Sequence, residues 1–129
     1  MKLPVEAIEF AAFGGTNFTK VELLRSPETS RQAFVHLSKV GHDAYQMTKM
    51  VNELAEVEEV LCKSLIISGG IKSFLDGYYL INLSTIPAIY GQASSFLEYA
   101  KESYDELRQF IEYQVKGLEL ANAFLKVKQ

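Results

Sequence analysis

Cysteine, clustered basic charge and uninterrupted apolar sequence are all scarce in this chain. The single cysteine, Cys62, excludes an intramolecular disulfide and a multi-cysteine zinc site and fits a reducing interior. The 13 Lys and Arg residues are dispersed, never three in a row, against 16 Asp and Glu, for a net charge of −3. Nucleic-acid-binding faces are built from clustered Lys and Arg, so no nucleic-acid partner is expected. The most apolar window, residues 65–90, is broken by Gly69, Gly70, Lys72, Asp76, Gly77 and Pro87, whereas a membrane-spanning helix needs about 20 largely apolar residues. Glu6 follows Met1 too closely for the apolar region of an export signal. These absences lead to the expectation of a cytoplasmic protein with no membrane partner.

What remains is ordinary for a globular chain. Apolar residues make up 48% and charged residues 22% of the 129 positions, which suits one domain with a real core. Most of the apolar content lies in two amphipathic stretches, residues 27–68 and 87–126. In the first, Ser26, Pro27 and Glu28 supply a helix start. Apolar residues then recur at steps of three and four from Ala33 through Leu37, Val40, Ala44, Met47, Val51 and Leu54 to Leu61 and Leu65, with Glu58 in one apolar position. Gly69-Gly70 reads as the stop. In the second stretch the register runs from Ala93 through Leu97, Ala100, Tyr104, Leu107, Ile111, Gln114, Leu118 and Ala121 to Leu125, with Phe96, Phe110 and Phe124 recurring beside it.

Two shorter segments are less decided. Residues 5–25 read as a β-hairpin, with alternation around Val5–Phe10 and Thr19–Leu23 on either side of Gly14-Gly15-Thr16-Asn17. A short helix over residues 4–13 competes with it. Residues 77–83, Gly-Tyr-Tyr-Leu-Ile-Asn-Leu, suit a buried strand or a short helix, which periodicity cannot separate in so short a run.

The fold expected is therefore mainly α: one helical domain over residues 1–129, built as a long antiparallel hairpin with a small N-terminal β-hairpin. A continuous helix of about 38 residues would reach roughly 57 Å, beyond the roughly 36 Å diameter of a compact chain of this size. Two such helices also cannot cover each other's broad apolar faces, so a homodimeric four-helix bundle is expected. Breaks at Gly41 or Gly117 offer an alternative, in which the chain folds back as a bundle of shorter helices; Asp43 would then cap a new helix.

No constellation names a reaction. Arg31-x4-His36 resembles the pair used by HEPN-class ribonucleases, which are also helical bundles. The resemblance implies an arginine stabilising phosphate charge and a histidine serving as acid or base. Here, however, the pair opens the first stretch, whereas that family carries it late in the bundle, and no basic surface accompanies it. Glu53, Glu56, Glu58 and Glu59, with Glu98, Glu102, Asp105 and Glu106, form acidic faces without the Glu-x-x-His of carboxylate di-metal bundles. Gln114 suits a register-fixing role better than catalysis, and Cys62 an inert thiol. Tyr78, Tyr79, Tyr90, Tyr99 and Tyr104 suit core packing or a ligand surface near the bend. Gly14-Gly15 lacks the lysine and helix of a phosphate loop, and Gly69-Gly70 the glycine spacing of a dinucleotide site; both read as turns.

No catalytic residue, cofactor or metal ligand is thus assigned. The function expected is a non-enzymatic, self-associating interaction or scaffold protein, with a further protein partner allowed. The alternatives are an RNA-cleaving enzyme using Arg31 and His36 and a helical small-molecule sensor.

Overall fold

A computed structural model describes residues 1–128 and overturns the helical hairpin. Three parallel strands, β1 (Ala7–Ala11), β2 (Ser64–Ser68) and β3 (Ala88–Gly91), form one sheet in the order β1-β2-β3, accompanied by six α-helices.

The N-terminal hairpin is corrected first. Its first strand exists as β1, but residues 18–25 are helical, forming α1 (Phe18–Arg25). The Asn17 side chain accepts from the Lys20 amide and starts that helix. β1 pairs instead with the distant β2, Ile8 opposite Leu65 and Phe10 opposite Ile67.

The first long helix becomes four pieces: α2 (Glu28–Phe34), a 3-10 turn over Val35–Lys39, α3 (Ala44–Val57) and β2. Of the two glycine breaks considered, the one near Gly41 occurs. Asp43 then opens α3 through a capping box with Gln46. The helix ends where Glu58 would have placed a carboxylate in the apolar register. Glu58 turns extended instead and reaches the Lys2 amine at 2.6 Å, both side chains substantially exposed. The chain runs on to β2, and Gly69-Gly70 ends that strand rather than a helix.

The second long helix also divides, into β3, α5 (Ser94–Glu102) and α6 (Tyr104–Phe124). The break falls at Ser103, whose side chain accepts from the Glu106 amide to start α6. Gly117 stays helical and buried, because the Phe74 ring lies against it; a Cβ there would come within 2.5 Å of Phe74 Cε1. α5 and α6 fold against each other, with Phe110 edge-on to Phe96 at 5.2 Å and stacked on Tyr99 at 4.3 Å. Phe96 and Phe110 thus join two helices rather than lining one, while Phe124 is left exposed. The longest helix, α6, has 21 residues and spans about 32 Å at about 1.5 Å per residue, so the overhang that called for a partner is gone. Residues 77–83 belong to a helix, α4 (Phe74–Leu83), opened by a Ser73–Asp76 capping box. Among the described residues no helix is long and apolar enough to cross a membrane.

The core lies on one face of the sheet. Ile8, Phe10, Leu65, Ile67, Ala88 and Tyr90 point that way and meet Ala44 and Val51 of α3, Leu80 of α4 and Ile71. Tyr90 packs its ring over Gly77, and burial pushes its phenol above the ordinary value. Leu65 is fully buried. Leu65→Ala should therefore cost about 3 kcal/mol, as truncation of a buried leucine does, read as a shift in the urea midpoint with unchanged slope.

The opposite face is open. Glu9 and Ala11 are exposed there, and Ile89 is 64% exposed. Doubly wound sheets carry helices on both faces, whereas a (β/α) barrel carries them only outside. α3 and α4 thus cover one face of this sheet and leave the other open.

Candidate functional site

Because the strands are parallel, all three carboxyl ends meet one edge, and the loops over residues 12–17, 69–73 and 92–93 gather there. In α/β folds this is the edge at which ligands bind. The first two loops are pressed together. Gly14 and Gly69 have φ of +99° and +94°, a conformation that glycine alone adopts without strain. A Cβ on Gly14 would sit 2.6 Å from Gly70 Cα, and one on Gly69 would overlap the Ala12 carbonyl. Their first role is to let two backbone turns touch.

Those loops, with the open sheet face, enclose a cavity of about 820 Å³, within the range of small-molecule sites. Glu9, Ala11, Ser68 and Gly91 line it from the sheet; Phe18 and Leu97 flank it from α1 and α5. The polar groups are specific. Ser68 Oγ donates to Glu9 Oε1 at 3.0 Å and lies close to the Phe10 carbonyl. Gln92 Nε2 donates to the Lys72 carbonyl at 2.7 Å, which fixes the amide, while its Oε1 is buried with no hydrogen-bond partner among the described residues. An orphaned buried acceptor calls for a donor.

Two backbone features complete the site. α5 begins at the cavity after Ala93, with no side chain among the described residues capping its first amides; α2, after Pro27, is uncapped too, whereas Asn17, Asp43, Ser73 and Ser103 cap α1, α3, α4 and α6. Uncapped amides at a helix N-terminus attract anions. Gly91 has no steric reason to be glycine: a Cβ there would meet only Ser68 Cβ, at 3.5 Å. Its bare backbone widens the cavity.

The residues singled out from sequence lie elsewhere. Arg31 donates to the carbonyls of Leu23, Leu24 and Ser26, tying α2 to the end of α1, while His36 is exposed in the 3-10 turn. No bond joins the two among the described residues. Glu53 and Glu56 are exposed on α3, and among the described residues no three His, Cys, Asp or Glu side chains gather as metal ligands would. Cys62 is buried, its thiol donating to the Ser64 carbonyl at 3.1 Å. Gln114 is half-buried in α6, its Oε1 without a partner among the described residues. The tyrosines disperse: Tyr78 donates to the Leu125 carbonyl, Tyr79 stacks on Tyr45, Tyr99 on Phe110, and Tyr104 is 77% exposed.

The glycine pairs read as turns are turns in the structure as well, and all four glycines line the cavity. The helix that Gly14-Gly15 was thought to lack is α1, and Gly69-Gly70 joins β2 to α4. The available signal was the order of features: Leu65-Ile66-Ile67, then Gly69-Gly70, then the Ser73-x-x-Asp76 capping pattern, which together spell strand, loop and helix. Glu9, Ser68 and Gln92 carried no signal of their own. No protein-family model matches the chain, and no curated protein aligns with it significantly.

Proposed function

We propose that the chain binds a phosphorylated, mononucleotide-type small molecule at the carboxyl edge of its sheet, as a cofactor- or substrate-holding unit of an α/β enzyme. The observation that carries this is the uncapped start of α5 opening into a cavity bounded by two glycine-bearing loops and by Gly91 at the end of β3. Barrel-wound α/β proteins frequently seat a phosphate between two consecutive βα-loops and the N-terminus of a short extra helix. The β2–α4 loop, the β3–α5 loop and the nine-residue α5, inserted before α6, supply those parts. This is an analogy of architecture; the side chains support it independently.

Backbone amides would hold the phosphate, since among the described residues no Lys or Arg lines the cavity. Glu9 is an acceptor for hydroxyls on the open face, and Gln92 Oε1 accepts one further donor. Phe18 and Leu97, 70% and 59% exposed, offer apolar surface to a ring system. A phosphate, a hydroxylated linker and a ring together describe a nucleotide. The scaffold reading rested on helical faces that the chain covers only in part: Ala44, Val51 and Ala121 are buried, whereas Leu37, Val40, Leu97 and Tyr104 stay exposed.

Thermal-shift and calorimetric titrations with purine, pyrimidine and flavin mononucleotides, each against its dephosphorylated nucleoside, test the reading. One mononucleotide should bind at least about tenfold more tightly than its nucleoside, and at about 100 times its dissociation constant should add about 2.7 kcal/mol of stability. Equal binding of both members of every pair, or of neither, rejects it.

A further inference from the structure

A second cavity, about 250 Å³ in volume, lies against the same Gly69-Gly70 turn, between the starts of α3 and α4. Its walls differ in kind from those of the first. Phe13, Tyr45 and Tyr79 bring three aromatic rings, and Asp43 and Asp76 bring two carboxylates. Among the described residues no Lys or Arg lines it. Tyr45 and Tyr79 stack with centroids 6.1 Å apart and planes 21° from parallel, and both rings are partly open to solvent.

The carboxylates are held but not saturated. Asp43 Oδ1 accepts from the Gln46 amide, and Asp76 Oδ2 accepts from the Lys72 and Ser73 amides and the Ser73 hydroxyl. Among the described residues, Asp43 Oδ2 and Asp76 Oδ1 accept nothing. Helix starts draw carboxylates for capping, so capping alone explains both aspartates. It does not explain three rings meeting them around a hollow. Aromatic faces and free carboxylate oxygens share one complementary ligand, an organic cation. The attraction is already at work nearby, where Lys49 Nζ lies 5.7 Å from the centroid of the Tyr45 ring.

The geometry points to a binding site for a small organic cation, an alkylammonium or guanidinium, between Tyr45, Tyr79, Asp43 and Asp76. At 250 Å³ the space suits a ligand smaller than a nucleotide. Gly69 and Gly70 line both cavities, so a cation bound here presses on the turn that walls the larger one.

Two-dimensional amide NMR of the intact chain, titrated with choline and with agmatine, tests the site. Saturable shifts should appear at Tyr45, Tyr79, Gly69 and Gly70, with a dissociation constant of about 1 mM or tighter for at least one probe. Asp43→Asn keeps a capping side chain while removing the charge, and Tyr79→Leu keeps apolar bulk while removing the ring. Each should weaken binding at least about tenfold with the circular dichroism spectrum unchanged. The neutral choline isostere 3,3-dimethylbutanol should not saturate. No saturable shift with either cation, or equal binding of the neutral isostere, overturns the assignment. Because the readout is direct, failure here is separable from failure of nucleotide binding.

Discussion

Gly69→Ala should cost the protein about 3–5 kcal/mol. An alanine at φ +94° is strained by about 2 kcal/mol, and its Cβ would overlap the Ala12 carbonyl. That neighbour is backbone, fixed by β1 and by the Ala12 amide's bond to the Ser68 carbonyl at 3.2 Å, so it cannot swing aside as a flexible side chain would. Relieving the overlap means parting the β1–α1 and β2–α4 loops, with the 1–3 kcal/mol typical of overpacking. For a chain of this length the thermal midpoint should fall by roughly 10–20 °C. The result also discriminates between folds. Were Gly69 only the end of a long helix, alanine would cost about 1 kcal/mol, and scanning calorimetry separates the two values.

Gly91→Val should do the opposite, leaving the fold and removing the ligand. Gly91 does not have a positive φ, and a Cβ there makes only an ordinary contact with Ser68. Valine favours strands, so stability should change by less than about 1 kcal/mol. The added methyls enter the cavity from the sheet, where the proposed phosphate must approach the backbone. Affinity for the mononucleotide should fall at least about 100-fold, which is about 2.8 kcal/mol of binding, measured by calorimetry. Unchanged affinity would remove the ligand from this cavity, and a loss of stability on the scale of Gly69→Ala would make Gly91 a structural glycine after all.

Local signals in this sequence were legible, and the global period misled. The strand near Phe10, the start of α2 after Pro27, the Asp43 cap and the break near Gly41 can each be read from a few neighbouring residues. β2 was lost because Leu61 and Leu65 extend the helical step of four across residues 58–63, a segment with no glycine or proline to interrupt it. An apolar run of four or five residues fits a buried parallel strand as well as one more helical turn. Sheet pairing between β1 and β2, a contact across most of the first half of the chain, decided the matter. Glu58 was the visible sign that the register had ended. Ser103-x-x-Glu106 was another, a capping pattern inside an apparently continuous helix. The site was less legible than the fold. Glu9, Ser68, Gly91 and Gln92 come from three strand ends that are neighbours only once the sheet has formed.

The Lys72 carbonyl accepts from Gln92 Nε2 at 2.7 Å and from Ser95 Oγ at 3.1 Å. One acceptor thus latches the β3–α5 loop and the first turn of α5 to the β2–α4 loop. The acceptor is main chain, so every substitution at position 72 preserves it, and a side-chain scan passing through Lys72 is blind to the latch. Only its two donors, at positions 92 and 95, expose it to mutation.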